Sequence, residues 1–137
     1  MTPKRSMIGS THRLLFVSSA LLVSAGGSAV CQDRVSALDV ALAPAAFENK
    51  RVLVEGCKIL GASLDLMLCS IETKTGNVGT IEVNADKLNI ADRKRALEEC
   101  ADFSPLEQCE VEVLGDVDRA NDGSAVIVAA DYNWRSD

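Results

Sequence analysis

A small, mainly β domain is what this 137-residue sequence predicts: five short strands closed into a barrel, with one helix between the third and the fourth. Three observations carry the prediction. Runs with period-two alternation recur between turn signals, at residues 51–60, 65–72, 79–85, 109–117 and 124–134. One stretch, residues 90–101, has helical spacing instead. Gly56 interrupts the first strand, and a sheet that closes on itself needs such a bend point, while Gly115 sits late in the fourth strand.

The chain opens differently. Residues 1–13 carry Lys4, Arg5, His12 and Arg13, residues 14–25 form an apolar run, and Gly26, Gly27, Ser28 and Ala29 follow. This order of positive, apolar and small residues is that of a secretory signal peptide, here residues 1–31. The apolar run is shorter than the ~20 residues that span a bilayer. Cleavage sites follow equally from Ser24-Ala25-Gly26, Gly27-Ser28-Ala29 and Ala29-Val30-Cys31. Cys31 raises the alternative of an envelope lipoprotein acylated at that cysteine, against which Val30 stands where such signals carry a small residue.

Residues 32–48 read as a short leading helix and linker. Ser36 or Asp33 caps the helix, Leu38, Ala41 and Leu42 form its apolar stripe, Pro44 ends or bends it, and Phe47 packs onto the domain that follows. The barrel is assigned to residues 49–137. In its first strand Val52 and Val54 point inward; after Gly56, Cys57 and Ile59 resume one position out of phase, as at a β-bulge. Met67, Cys69 and Ile71 share a face of the second strand, and Ile81 and Val83 face inward from the third, with Glu82 outward. Asn89 caps the helix, Asp92 sits in its first turn, and Leu97, Cys100 and Ala101 form its apolar stripe. Arg93, Lys94, Glu98 and Glu99 face water, and Ser104-Pro105 ends the helix. In the fourth strand Cys109, Val111 and Val113 point in, while Glu110 and Glu112 point out. Asp122-Gly123 marks the turn into the fifth.

Four cysteines follow Cys31, namely Cys57, Cys69, Cys100 and Cys109. None forms a C-x-x-C pair, and an exported chain meets an oxidising compartment, so they read as structural disulfides. The favoured pairing is Cys57–Cys69, which a hairpin centred on Ser63 sets opposite each other, and Cys100–Cys109, which pins the helix to the next strand. The element order β-β-β-α-β-β is that of the OB-fold, a five-stranded Greek-key barrel.

The run Pro44-Ala45-Ala46-Phe47-Glu48-Asn49-Lys50-Arg51-Val52-Leu53-Val54-Glu55-Gly56 also resembles exported bacterial OB-fold domain proteins of uncharacterised role. Their pattern is a proline, an aromatic, a basic residue, alternating valines and a glycine, entering the first strand from a short helix. The resemblance covers roughly residues 36–134; Asn49 stands where those proteins have glycine, and the cysteines depart from their pattern. It implies a fold and no catalytic residues.

Function is narrowed mainly by exclusion. The residues after Cys31 hold all 20 acids and 11 of the 14 bases, a net charge of −9 that repels phosphate backbones. Strands two and three contain no aromatic residue on which bases could stack, so nucleic acid is not an expected partner. The only histidine is His12, which removes histidine-based nucleophilic catalysis and histidine-liganded zinc from the domain. Asp116, Asp118, Asn121 and Asp122 fail the EF-hand register and read as a hairpin turn, and Tyr132 and Trp134 read as packing residues. No catalytic, cofactor-binding or metal residue is assigned. The expectation is a periplasmic or secreted, non-enzymatic binding or interaction module. Its partner is a protein, a peptide or a small ligand, and it makes no stable membrane insertion after cleavage. The alternative is an envelope enzyme that uses carboxylates in an unrecognised site.

Overall fold

The computed structural model describes residues 32–136. The expected signal peptide, its candidate cleavage points and the lipoprotein alternative at Cys31 lie outside the described residues. The elements are β1 (Arg34–Ser36), α1 (Ala37–Leu42), α2 (Pro44–Phe47), β2 (Arg51–Leu60), β3 (Leu66–Thr73), β4 (Gly76–Asn84), α3 (Ile90–Glu99), a 3₁₀ turn (Glu107–Cys109), β5 (Glu110–Arg119) and β6 (Ala125–Trp134).

Five strands close a mixed barrel in the order β2-β3-β4-β6-β5, with β5 returning to pair antiparallel with β2. The β4–β6 pair is parallel and its other neighbours antiparallel, so the chain closes with OB-fold-like connectivity. The predicted bulge is where the alternation changed phase. Gly56 has φ of 80°, and the β2–β5 register slips between Val54 and Cys57. A left-handed residue costs least as glycine. The bend lets β2 pair with β1 and β5 before the bulge, then with β3 and β5 after it. Gly115 has a different cause. A Cβ there would lie 2.5 Å from the Val128 carbonyl oxygen, so β5 and β6 approach closely only because that atom is missing.

The barrel interior holds Val52, Val54, Ile59, Met67, Ile81, Val83, Val111, Val113, Val117 and Ile127, all essentially without solvent contact. The two cysteine pairs sit at its edges, Cys57 bonded to Cys69 and Cys100 to Cys109, as the sequence favoured. The register behind the first bond differs from the expectation. Cys57 pairs with Ile71 and Ile59 with Cys69, so the hairpin turns about Leu64 rather than Ser63. Ser63 explains the longer loop: its N–H and its hydroxyl both bond the Leu66 carbonyl, at 2.9 and 2.7 Å, which holds Asp65 out of the strand. The cysteines become diagonal neighbours on one face, and their Cα atoms are 5.0 Å apart.

The leading segment departs further. Before the helix comes β1, which lies parallel to β2 and adds a sixth strand beside its first half. Arg34 fastens it, with ion pairs of 2.6 Å to Glu55 and 2.7 Å to Glu112. Ser36 is the cap of α1, accepting from the Asp39 N–H at 3.0 Å, while Asp33 is not. The buried residues of α1 are Ala37 and Val40, with Leu38 and Ala41 packed beside them; Leu42, expected in the stripe, is 75% exposed. Starting the helix after a strand sets its phase from β1, and that phase turns Leu42 outward. Phe47 packs against the core as expected, and Pro44 opens the separate turn α2.

The second helix, α3, begins with the predicted Asn89 cap, whose side chain accepts from the Asp92 N–H at 2.9 Å. It stops at Glu99, before the expected end. The chain past Cys100 is drawn back to the β2–β3 loop, where Gly61 and Ala62 donate to the Asp102 and Cys100 carbonyls. Ala96 and Cys100 therefore form the buried face, Leu97 lies at its margin, and Ala101 is exposed.

Candidate functional site

Polar side chains of the barrel wall are largely engaged with one another. Around the bulge at Gly56 runs a groove of about 500 Å³ lined by Glu55, Glu110, Glu112, Trp134 and Arg135. Arg34 bridges Glu55 and Glu112, Asn133 donates to Glu112 at 2.8 Å, and Arg135 pairs with Glu110 at 2.6 Å. Beside it Lys58, with a side chain only 15% exposed, reaches Glu107 at 2.7 Å and Glu72 at 3.9 Å. The hydrogen bond to Glu107 raises the Lys58 ammonium above the ordinary lysine value and holds the Glu107 carboxyl below its own. Each of these carboxylates has a cationic partner, and the ion pairs link β1, β2, β5 and β6 around the groove.

A second polar cluster ties α3 to β6. Asn89 donates to Asp92 at 2.6 Å and to Asp131 at 3.0 Å. The Tyr132 N–H is shared between the same two carboxylates at 3.1 Å each, and Trp134 Nε1 donates to Asp92 at 2.8 Å. Burial pushes the Asp92 carboxyl up, but the bonds from Trp134, Asn89 and the Tyr132 N–H overcome this and hold it below the ordinary aspartate value. Asp131 moves the other way, raised by partial desolvation of its carboxyl and by the neighbouring Asp92 carboxylate. Both Asp92 oxygens are occupied and Asp131 is exposed, so the pair acts as a fastener between helix and strand. Its members are 39 residues apart and carried no sequence signal beyond the place of Asp92 in the first turn of the helix.

The other residues singled out from sequence fall into structural places. Tyr132 is buried, its ring meeting Trp134 edge to face at 5.6 Å and its hydroxyl donating to Met67 Sδ at 3.3 Å; burial pushes the phenol up. Arg95 lies 4.3 Å over the Trp134 ring. Asp122 accepts from the Ser124 N–H and hydroxyl, the turn chemistry expected there, and Asp116 pairs with Arg51. Among the described residues no group of three or more histidines, cysteines, aspartates or glutamates could hold a metal ion. Lys94–Glu98 and Arg95–Glu99 form surface pairs one helical turn apart.

Leu42, Val78 and Phe103 are exposed singly, whereas other exposed apolar side chains gather at one depression. Ile90 and Leu97, two turns apart on α3, and Leu64 from the β2–β3 loop line an apolar depression of about 360 Å³. Ile90 is 82% and Leu64 71% exposed, values at which a large side chain contributes almost no burial to the fold. The rim is charged: Arg93, Lys94 and Glu98. Arg93 was expected only to face water, yet its guanidinium donates to the Leu64 carbonyl and so holds the loop against the helix. The sequence missed this surface because Ile90 lies at the helix start, outside the expected apolar stripe, and Leu64 lies in a turn. In comparisons with known proteins, no family model matches the chain and no curated protein matches it.

Proposed function

We propose that this chain is an exported interaction module of the bacterial cell envelope, which binds a protein or peptide partner on the face built by Leu64, Ile90 and Leu97. The observation that carries the reading is the exposure of Ile90 and Leu64 around one depression, which the other exposed large apolar side chains, Leu42, Leu66, Val78 and Phe103, do not line. Clustered exposed apolar side chains rimmed by polar ones are how interaction sites present themselves. Export is supported by the order of charges and apolar residues in the first 31 positions and by the two disulfides, which fit an oxidising compartment. The likeness of residues 44–56 to exported bacterial OB-fold proteins supports the same setting.

The test is photo-cross-linking in living cells. A photoreactive side chain at position 64 or 90 should give a discrete adduct that one at Lys74, in the β3–β4 turn, does not give. Equal labelling from all three positions, or none from 64 and 90, would overturn the proposal.

A further inference from the structure

The depression has a rim whose charge runs against the rest of the domain. Of the arginines among the described residues, Arg34, Arg51, Arg95, Arg119 and Arg135 each form an ion pair. Arg93 does not; its one side-chain partner is the neutral Leu64 carbonyl. Glu98, the only acid on the rim, lies 3.8 Å from Lys94. The rim is therefore net positive on a domain whose residues after Cys31 carry −9. A guanidinium with free donors beside an apolar floor matches a carboxylate adjoining a bulky apolar side chain.

A second copy of the chain is the wrong occupant. Laying two α3 helices antiparallel would match Ile90 with Leu97, but it would bring Arg93 and Lys94 of both copies together at the dyad, where like charges oppose association.

We propose, building on the interaction-surface reading, that the partner presents an acidic amphipathic segment. Its apolar side chains enter the depression between Leu64, Ile90 and Leu97, and a carboxylate pairs with Arg93. Three apolar anchors make a small contact, of the weak and transient kind.

The test uses isotope-labelled protein expressed from its full-length gene, with amide spectra recorded during titration. The probes are short helical peptides with leucine at i, i+4 and i+7 and glutamate beside them, and counterparts with glutamine or lysine replacing the glutamates. The glutamate peptide should move the amides of residues 63–66 and 90–98. It should bind about fivefold tighter than the glutamine peptide, the upper range for an exposed ion pair, and the lysine peptide should bind weakest. R93Q should erase the difference between glutamate and glutamine peptides, while R119Q preserves it; unchanged amide spectra elsewhere would show both variants folded.

Equal affinity for the glutamate and glutamine peptides at these amides would refute the acidic partner and leave the interaction surface standing. Peptide-induced shifts confined to other residues, together with no cross-links from positions 64 and 90, would refute both readings. Movement of the same amides by phosphatidylglycerol vesicles but not by the glutamate peptide would replace the peptide with a membrane surface and so overturn the proposal.

Discussion

Reducing the two disulfides should remove a third or more of the domain's stability, and the expected loss follows from the loops they close. The bond between Cys57 and Cys69 spans 12 residues and that between Cys100 and Cys109 spans 9. Chain-entropy arithmetic for loops of those lengths gives about 2.8 and about 2.6 kcal/mol. A single domain of this size is stable by roughly 5–15 kcal/mol, so losing both removes a third or more of the total. All four cysteines are buried, so the double variants Cys57→Ala/Cys69→Ala and Cys100→Ala/Cys109→Ala also lose packing, and each should lose slightly more than these figures. Thermal unfolding followed by far-ultraviolet circular dichroism, with and without reductant, should show a midpoint drop of about 10 °C or more per bond. Thiol alkylation of the native, unreduced protein should leave Cys57, Cys69, Cys100 and Cys109 unlabelled. Labelling of these four in protein made in an oxidising compartment, or a midpoint indifferent to reductant, would refute the argument.

Asp92→Ala should cost about 2–3 kcal/mol, because the Trp134, Asn89 and Tyr132 donors lose one charged acceptor; urea unfolding and a change in Trp134 fluorescence read it. Since the folded state holds the Asp92 carboxyl below its ordinary value, its contribution is complete above the ordinary aspartate range and disappears as pH falls through the lower folded value. Stability measured against pH should lose this acid limb in Asp92→Asn. Asp131 has the opposite sign: its raised value means the ionised form costs stability at neutral pH, and that cost fades as pH falls through the folded value. Asp131→Asn should therefore stabilise the protein at pH 7 by a few tenths of a kcal/mol, the scale of an exposed like-charge pair, with the gain vanishing in acid. Gly115→Ala should cost about 1–3 kcal/mol, because its methyl carbon meets the Val128 carbonyl oxygen and β5 must move from β6; denaturant titration checks it.

The strands were legible because their signal is local. Val52, Val54, Cys57 and Ile59 record both the buried face of β2 and the place where it slips, within nine residues of sequence. The cysteine pairs were legible for the same reason, since each joins adjacent elements. Most of what failed depended on partners far along the chain. The existence of β1 is decided by the open first half of β2, about twenty residues later. The end of α3 is decided by Gly61 and Ala62, nearly forty residues earlier. The hairpin register turned on Ser63 bonding Leu66, a turn contact that period-two alternation cannot report.

The same division explains why the candidate surface was hidden. Apolar periodicity assigns a leucine or isoleucine to the interior, so a functional apolar residue is visible only as a failure of burial, which needs coordinates. Ile90 and Leu64 are such failures, and neither is strained: Ile90 opens a well-capped helix and Leu64 turns a hydrogen-bonded loop. Replacing either by a polar residue would therefore cost the fold little, since little of either is buried. A change at these positions that spares stability and removes partner contact separates binding from folding. In the groove at Gly56 the separation is less clean, because there each carboxylate is itself ion-paired across strands or to the segment that follows β6.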